Sequence, residues 1–228
     1  MRTISKWVPN FWKRERSFGQ LLLALAFFIF FVIPFMTEAV YGRIIFLFFY
    51  YLLLTSSTPF LLEKNKSNIT LILFVIPFII LLIEINWHSA WIQLLENLFL
   101  LSYFLMLGTI ILFITFDQGR LNIRRIQGAV IVYLLIGLIF SIIFHSIHIL
   151  SSSYAFNGVT GTHKQNFIYY SLCTLTTVGY GDIAPLSPLA RSLSNLEALI
   201  GQLFPAIFIA RLISMEISYE SKRRNIDV

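Results

Sequence analysis

One short stretch of the chain, residues 176–182, combines residue types that suit ion binding by the backbone. It reads Thr-Thr-Val-Gly-Tyr-Gly-Asp, with Gly179 and Gly181 two positions apart. In a plain strand the carbonyls alternate in direction, whereas glycine readily adopts the positive-φ conformations that break this alternation. Carbonyl oxygens that all point inward along one line can replace the water around a dehydrated cation. The glycine spacing therefore permits a backbone whose successive carbonyls do not alternate in direction.

The same stretch resembles the selectivity filter of the potassium-channel superfamily. The resemblance covers about residues 126–217, as a span, a re-entrant pore helix, the filter and a second span. It implies that K⁺ is the permeant ion and binds to carbonyls of Thr177, Val178, Gly179 and Tyr180, with the Thr177 hydroxyl as the innermost ligand. No cofactor is expected besides this ion.

The resemblance also implies side chains that support the filter. A pore helix is expected over 165–176, where Tyr169 and Tyr170 match an aromatic pair that braces the filter tyrosine in relatives; an interfacial position for both is the alternative. Many bacterial relatives carry Glu at the position of Cys173, where it pairs with the filter aspartate, here Asp182. That carboxyl pair cannot form in this chain, so inactivation of the kind it supports is in doubt.

The last apolar segment carries an acid and two helix-weakening residues. Glu197 is ionisable in a setting where charge is costly, and we expect it to hydrogen-bond the pore helix at Ser171 or Thr174. Glycine is a poor helix former, and Pro205 has no N–H for the carbonyl of Gly201, so both defects fall on one turn. The pattern predicts a kink where the family has its gating hinge; the alternative is that Gly and Pro are simply common in membrane helices.

Beyond this turn, Ile209, Ile213 and Ile217 recur every four residues and so share one face. By resemblance this face lines the inner pore, where a ring of isoleucines could gate by dewetting. Packing against a neighbouring subunit or lipid is the alternative.

Three histidines lie on the side predicted to be extracellular. His145 and His148 share a face at the end of the fifth apolar segment, and His163 follows in the next loop. Histidine titrates near physiological pH, so an outer pH sensor and an ordinary polar span end both fit this pattern.

Composition places these features in a membrane. The chain is 57% apolar and 12% charged, whereas soluble domains are about half apolar and about a quarter charged. Six segments are long enough for a helix to cross the hydrocarbon core. The sequence therefore predicts an all-α membrane protein with six transmembrane helices, a re-entrant pore helix and a selectivity filter, assembled as a tetramer. The predicted spans are 18–36, 44–62, 69–85, 90–116, 126–150 and 193–217.

The distribution of basic residues predicts the orientation. Placing the N-terminus inside the cell puts 14 of the 17 Lys and Arg residues on that side and leaves Arg43, Lys164 and Arg191 outside. This asymmetry favours cytoplasmic termini in a multi-pass protein of the plasma or inner membrane. Residues 1–17 mix aromatic and basic side chains, which is typical of an interfacial anchor; a plug that blocks the pore is the alternative.

The remaining boundaries follow from these spans. Residues 18–118 form a predicted four-helix domain with the layout of a voltage sensor, 119–217 the pore domain and 218–228 a short cytoplasmic tail. The fourth span carries no Arg or Lys, and its only ionised side chain is Glu96. One charge crossing 100 mV is worth about 2.3 kcal/mol. We therefore expect only weak voltage dependence.

Three alternatives fit the sequence less well than a channel subunit. A potassium transporter with channel-like filters carries four pore loops in one chain, whereas this chain has one. The expected partners of this chain are therefore three identical subunits, together with membrane lipid. An enzyme would need a polar catalytic set on facing spans, and none is evident. A regulatory subunit with a dead filter is disfavoured because the 176–182 motif is intact.

Overall fold

The computed structural model describes residues 11–32, 89–116, 122–151, 154–159 and 163–224. Within these ranges the chain is mostly helical, with one small two-stranded sheet. The predicted spans 44–62 and 69–85 lie outside the described residues, as do most of the predicted N-terminal anchor and residues 225–228.

The described helices follow the apolar segments of the sequence. Helix α2, Ala90–Phe116, has the predicted bounds of the fourth span. Helix α4, Lys164–Leu175, is shifted by one residue toward the N-terminus from the predicted pore helix 165–176. The last helix continues past the predicted end at Ile217 into the segment predicted as a tail. The bounds are α1 Phe11–Phe27, which continues as a π-helical turn Phe28–Val32, then α2 Ala90–Phe116, α3 Ile123–Leu150, α4 Lys164–Leu175 and α5 Pro188–Arg224.

Three of these helices are long and apolar enough to cross a membrane: α2, α3 and the Pro188–Ser214 part of α5. Each such stretch has 27 or 28 residues, which at about 1.5 Å per residue exceeds a hydrocarbon core about 30 Å thick. Residues Phe18–Val32 form a shorter apolar helix. The chain is therefore a multi-pass, helical membrane protein.

The connection between α4 and α5 is ordered by a small sheet and a helix cap. Strand β1, Phe156–Asn157, pairs antiparallel with β2, Ala184–Pro185. Just beyond β2, the Ser187 hydroxyl accepts a hydrogen bond from the Ala190 N–H at 3.2 Å. Serine before the first turn and Pro188 at its first position are a favourable helix start, because proline lacks an N–H that would be unpaired there.

Helix α3 lies at the centre of the described fold and shares one core with α1 and α2. The buried side chains of this core lie in residues 18–32, in residues 100–111 of α2 and in residues 131–142 of α3. The most deeply buried are Leu21, Leu25, Tyr103, Leu107, Ile111, Ile131 and Leu135.

A second, aromatic core joins α3 to α4 and β1. The rings of Phe144, Phe156 and Tyr170 lie within 5.1–5.6 Å of one another, centroid to centroid, and meet edge to face. Phe167 of α4 packs on Phe156 at 5.5 Å. Aromatic pairs favour this tilted geometry, so the core fixes the orientation of α4, whose end begins the 176–182 loop.

Candidate functional site

The 176–182 loop leaves α4 through a tight set of main-chain hydrogen bonds. The Thr177 N–H donates to the Thr174 carbonyl at 3.0 Å, and the N–H groups of Val178 and Gly179 donate to the Cys173 carbonyl at 2.9 and 3.3 Å. These bonds use carbonyls at the C-terminal end of α4 that have no partner within the helix. The first half of the loop is thus fixed to the helix that precedes it.

The sign of φ alternates along the backbone of the loop. Thr177, Gly179 and Gly181 have φ of 58°, 58° and 81°, and Val178 and Tyr180 between them are not in the positive-φ region. The two glycines therefore adopt the conformations expected from their spacing. Thr177 does so without being glycine, which is rare for a β-branched residue. A positive φ at every second position removes the alternation in carbonyl direction that a strand has.

One side of the loop is open in the single chain. The side chains of Val178 and Tyr180 are 53% and 72% exposed. A Cβ built on Gly179 or Gly181 meets no atom within 4 Å. In the single chain the loop is therefore covered on one side only.

Tyr169 and Tyr170 have different surroundings. The Tyr169 ring is parallel to that of Tyr180 at 6.3 Å between centroids, whereas the Tyr170 hydroxyl lies 2.6 Å from Ser194 Oγ in the core. The nearby Asp182 carboxylate is the chief cause that raises the pKa of the Tyr169 phenol above its ordinary value. Of the predicted aromatic pair, Tyr169 lies against Tyr180 within this chain and Tyr170 does not.

Cys173 stands beside this pair, at the position where relatives carry Glu. Burial raises the pKa of the Cys173 thiol, which lies near Tyr169. A protonated, partly buried thiol behaves as a small apolar group. Tyr169 is thus a side chain that lies near Asp182 in this chain, a proximity that the sequence alone did not identify.

Behind α4, a buried acid contacts the helix. Glu197 of α5 and Ser171 of α4 are both 0% exposed, and the Ser171 hydroxyl contacts Glu197 Oε1. The Thr174 hydroxyl, the other partner considered from the sequence, instead donates to the Tyr170 carbonyl at 2.9 Å. Glu197 therefore faces the rear of α4, away from the open side of the loop.

Gly201 lies where α5 meets the end of α4. A Cβ added to Gly201 would be 1.9 Å from the Leu175 carbonyl oxygen, and the Tyr133 hydroxyl donates to the same oxygen at 3.1 Å. Helix α5 is continuous through Gly201 and Pro205. Gly201 thus permits a close helix contact one residue before the loop, a role that sequence reasoning missed because the partner lies in another helix.

The isoleucines of the predicted inner face remain uncovered in the single chain. Ile209, Ile213 and Ile217 are each more than half exposed. Their shared face of α5 is available to another subunit, to lipid or to an aqueous pore.

At the other end of α4, a salt bridge joins it to α2. Lys164 Nζ lies 2.5 Å from Glu96 Oε2, and the Glu96 side chain is buried. Lys164 is the first residue of α4, where the helix dipole disfavours a cation. The Glu96 carboxylate offsets both the lysine charge and the positive end of the helix. Spacing in the sequence did not reveal this pair, because 68 positions separate its members.

His145 and His148 are buried rather than exposed at a span end. The Asn97 side-chain amide lies 3.0 Å from His145 Nδ1. The His148 ring packs 5.1 Å from Phe167 and 6.1 Å from Phe156, centroid to centroid. His163 directly precedes α4. The first two histidines thus lie within the helix packing on the side of α3 that faces α2 and α4.

Comparison with known proteins identifies the segment that contains the loop. Residues 128–217 match the Ion_trans_2 family model, described as an ion channel. Over 60 residues the chain is 35% identical to Protein LctB of Geobacillus stearothermophilus; the match covers 26% of this chain and 40% of that protein. No solved structure matches the chain. The segment that runs from α3 through α4 and the 176–182 loop into α5 is therefore similar in sequence to an ion-channel family.

Proposed function

We propose that the chain is one subunit of a potassium-selective channel that conducts K⁺ passively through the 176–182 loop. In this proposal α4 is the pore helix, and carbonyls of Thr177, Val178, Gly179 and Tyr180 bind the ion. The observation that carries the proposal is the alternating backbone, with positive φ at Thr177, Gly179 and Gly181. In a regular strand φ is negative throughout and successive carbonyls point in opposite directions. A row of inward carbonyls instead requires φ of alternating sign.

The open side of the loop supports assembly as a homotetramer. One chain surrounds a cation from one side only, and the exposed side chains of the loop have no covering element among the described residues. Because an ion that has lost its water needs oxygens on all sides, four copies around one axis complete the site. The exposed face of α5 then packs against neighbouring subunits and lines the inner pore.

The other parts of the proposal concern gating and orientation. Ile209, Ile213 and Ile217 form the inner gate, and the turn at Gly201 and Pro205 is the hinge. Both termini are cytoplasmic, and the membrane is the plasma or inner membrane. Tyr169 and Asp182 hold the outer half of the filter, and the protein is not an enzyme.

A reconstituted flux assay tests the proposal. Liposomes that contain the purified protein are loaded with K⁺, Na⁺ or Cs⁺, and the flux of each ion is measured. We expect K⁺ flux well above Na⁺ flux. The Gly179→Ala variant is expected to lose K⁺ flux. The Gly108→Ala variant serves as a matched control, because a Cβ on Gly108 of α2 meets only one side-chain atom, at 3.9 Å.

Two outcomes would overturn the proposal. Equal flux of K⁺ and Na⁺ in the unmodified protein would refute potassium selectivity while leaving a channel. No flux of any ion, from protein that retains its assembly, would favour a regulatory subunit that does not conduct alone.

A further inference from the structure

A buried polar cluster ties three helices together behind the loop. The Ser171 hydroxyl of α4 lies 2.6 Å from the Gly137 carbonyl of α3 and also contacts Glu197 Oε1 of α5. Ser171 and Glu197 are fully buried. Ser171 therefore links α3 to α5 at a position less than two helical turns before the 176–182 loop.

Counting protons in this cluster gives the state of the acid. The Gly137 carbonyl can only accept, and Ser171 has a single hydroxyl proton for its two contacts. If that proton bonds to Gly137, none is left for Glu197. An ionised carboxylate is acceptor-only, and it would then face the Ser171 oxygen with no proton between them. Both contacts are satisfied when Glu197 carries the proton and donates it to Ser171 Oγ.

The surroundings of Glu197 favour the same state. The titratable groups that face it are Tyr133 from α3 and Tyr170 from α4, both of them phenols. Within the described residues, no salt bridge joins Glu197 to a basic side chain, and its Oε2 has no hydrogen-bond partner. A buried carboxylate without a cation is very costly, whereas a neutral acid that donates one hydrogen bond is tolerated.

We propose that Glu197 is a positioning residue that acts as a neutral, proton-donating acid, and that loss of its proton releases α4 from α5. The inference rests on the proposed function for its consequence, because α4 carries the ion-binding loop. Ionisation removes the donor from a buried hydrogen bond and places a charge beside the Ser171 oxygen. The end of α4 then moves away from α5, and the filter loses its rear support.

The test has one readout that does not depend on conduction. Infrared spectra of the full-length protein in lipid, recorded at neutral pH, are compared between the unmodified protein, Glu197→Gln and Glu216→Gln. We expect the carbonyl band of a protonated carboxylic acid in the unmodified protein and in Glu216→Gln, a matched change on the same helix. Glu197→Gln lacks that band. An unchanged band in Glu197→Gln would overturn the proposal.

Flux at alkaline pH is the second readout. Potassium flux of the unmodified protein is expected to fall by about tenfold or more as Glu197 ionises, the effect of losing one buried hydrogen bond. Glu197→Gln keeps flux at neutral pH and flattens this decline, because its amide still donates to Ser171. Glu216→Gln keeps the decline. A decline in Glu197→Gln equal to that of the unmodified protein would contradict the proposal.

If Glu197→Gln does not fold, Ser171→Ala takes its place. Removal of the Ser171 hydroxyl takes away the acceptor of the acid, so the infrared band shifts in frequency; an unshifted band counts against the proposal. Absence of flux together with the expected infrared band would refute the proposed function and leave the protonated acid in place.

Discussion

Gly201→Ala is the substitution for which the structure gives the most specific expectation. The added Cβ would lie 1.9, 2.8 and 3.1 Å from three main-chain atoms of Leu175, its carbonyl oxygen, carbonyl carbon and Cα. Ordinary contacts begin at about 3.4 Å. Main-chain atoms cannot rotate out of the way as a side chain can, so α5 and the end of α4 must separate.

Two effects of opposite sign compete in this variant. Replacing Gly with Ala inside a helix gains about 1 kcal/mol of helix propensity. Overpacking of a tight contact costs about 1–3 kcal/mol, and more when the backbone has to shift. The contact dominates, so we expect net destabilisation of about 1–2 kcal/mol per subunit. Because Leu175 immediately precedes the 176–182 loop, part of this strain reaches that loop.

The assay combines stability with ion selectivity. Thermal unfolding of the detergent-solubilised protein measures the first, and the reversal potential between K⁺ and Na⁺ solutions measures the second. A strain that changes the binding free energies of K⁺ and Na⁺ by amounts differing by about 1.4 kcal/mol changes the preference between them about tenfold. Gly108→Ala, which has room for its Cβ, should leave both quantities unchanged. Pro205→Ala should shift open probability alone, because Pro205 is exposed.

Wild-type stability and selectivity in Gly201→Ala would refute this reasoning. The contact with Leu175 would then be slack, and Gly201 would act only as a hinge. An unchanged open probability in both Gly201→Ala and Pro205→Ala would instead remove the hinge and leave the packing role.

Four further predictions follow from the site. In Gly179→Ala the Cβ has open space, so the loss of potassium flux comes from positive-φ strain of about 1–2 kcal/mol per subunit, and a variant that keeps its K⁺ preference would disprove the loop assignment. In Gly158→Ala the Cβ would lie 1.9 Å from the Asp182 carbonyl oxygen, so selectivity measured by reversal potential should fall; normal selectivity would mean that the outer loop does not hold the filter. Chemical cross-linking in mild detergent should yield tetramers, and a ladder that stops at dimers would contradict the assembly. Conductance should depend only weakly on voltage, as α2 carries no Arg or Lys, whereas a steep conductance–voltage curve with sizeable gating currents would place a sensor elsewhere in the chain.

The sequence predicted well those features that depend on local pattern. The bounds of α2 and α4 follow apolar length and were anticipated within a residue. The positive φ of Gly179 and Gly181 follows from residue type. Thr177 could not be foreseen in the same way, because a β-branched residue avoids positive φ unless its surroundings impose it.

Contacts between distant segments account for most of what the sequence did not predict. Tyr169 and Tyr170 are equivalent by type, and only the rotation of α4 decides that one faces Tyr180 and the other the core. Gly201 is a hinge candidate by composition, yet its partner is the main chain of Leu175. Such pairings depend on how helices dock, which residue periodicity does not encode.

The Glu96–Lys164 salt bridge limits the order in which its two positions can change during evolution. Lys164 is 30% exposed and can reach water when its partner is lost, whereas Glu96 is 4% exposed and cannot. Loss of Lys164 first takes the lysine cation away from a buried carboxylate, which is strongly destabilising. Loss of Glu96 first leaves a lysine that can still be solvated. Lineages that dispense with this salt bridge should therefore pass through an intermediate that lacks the acid and retains the base.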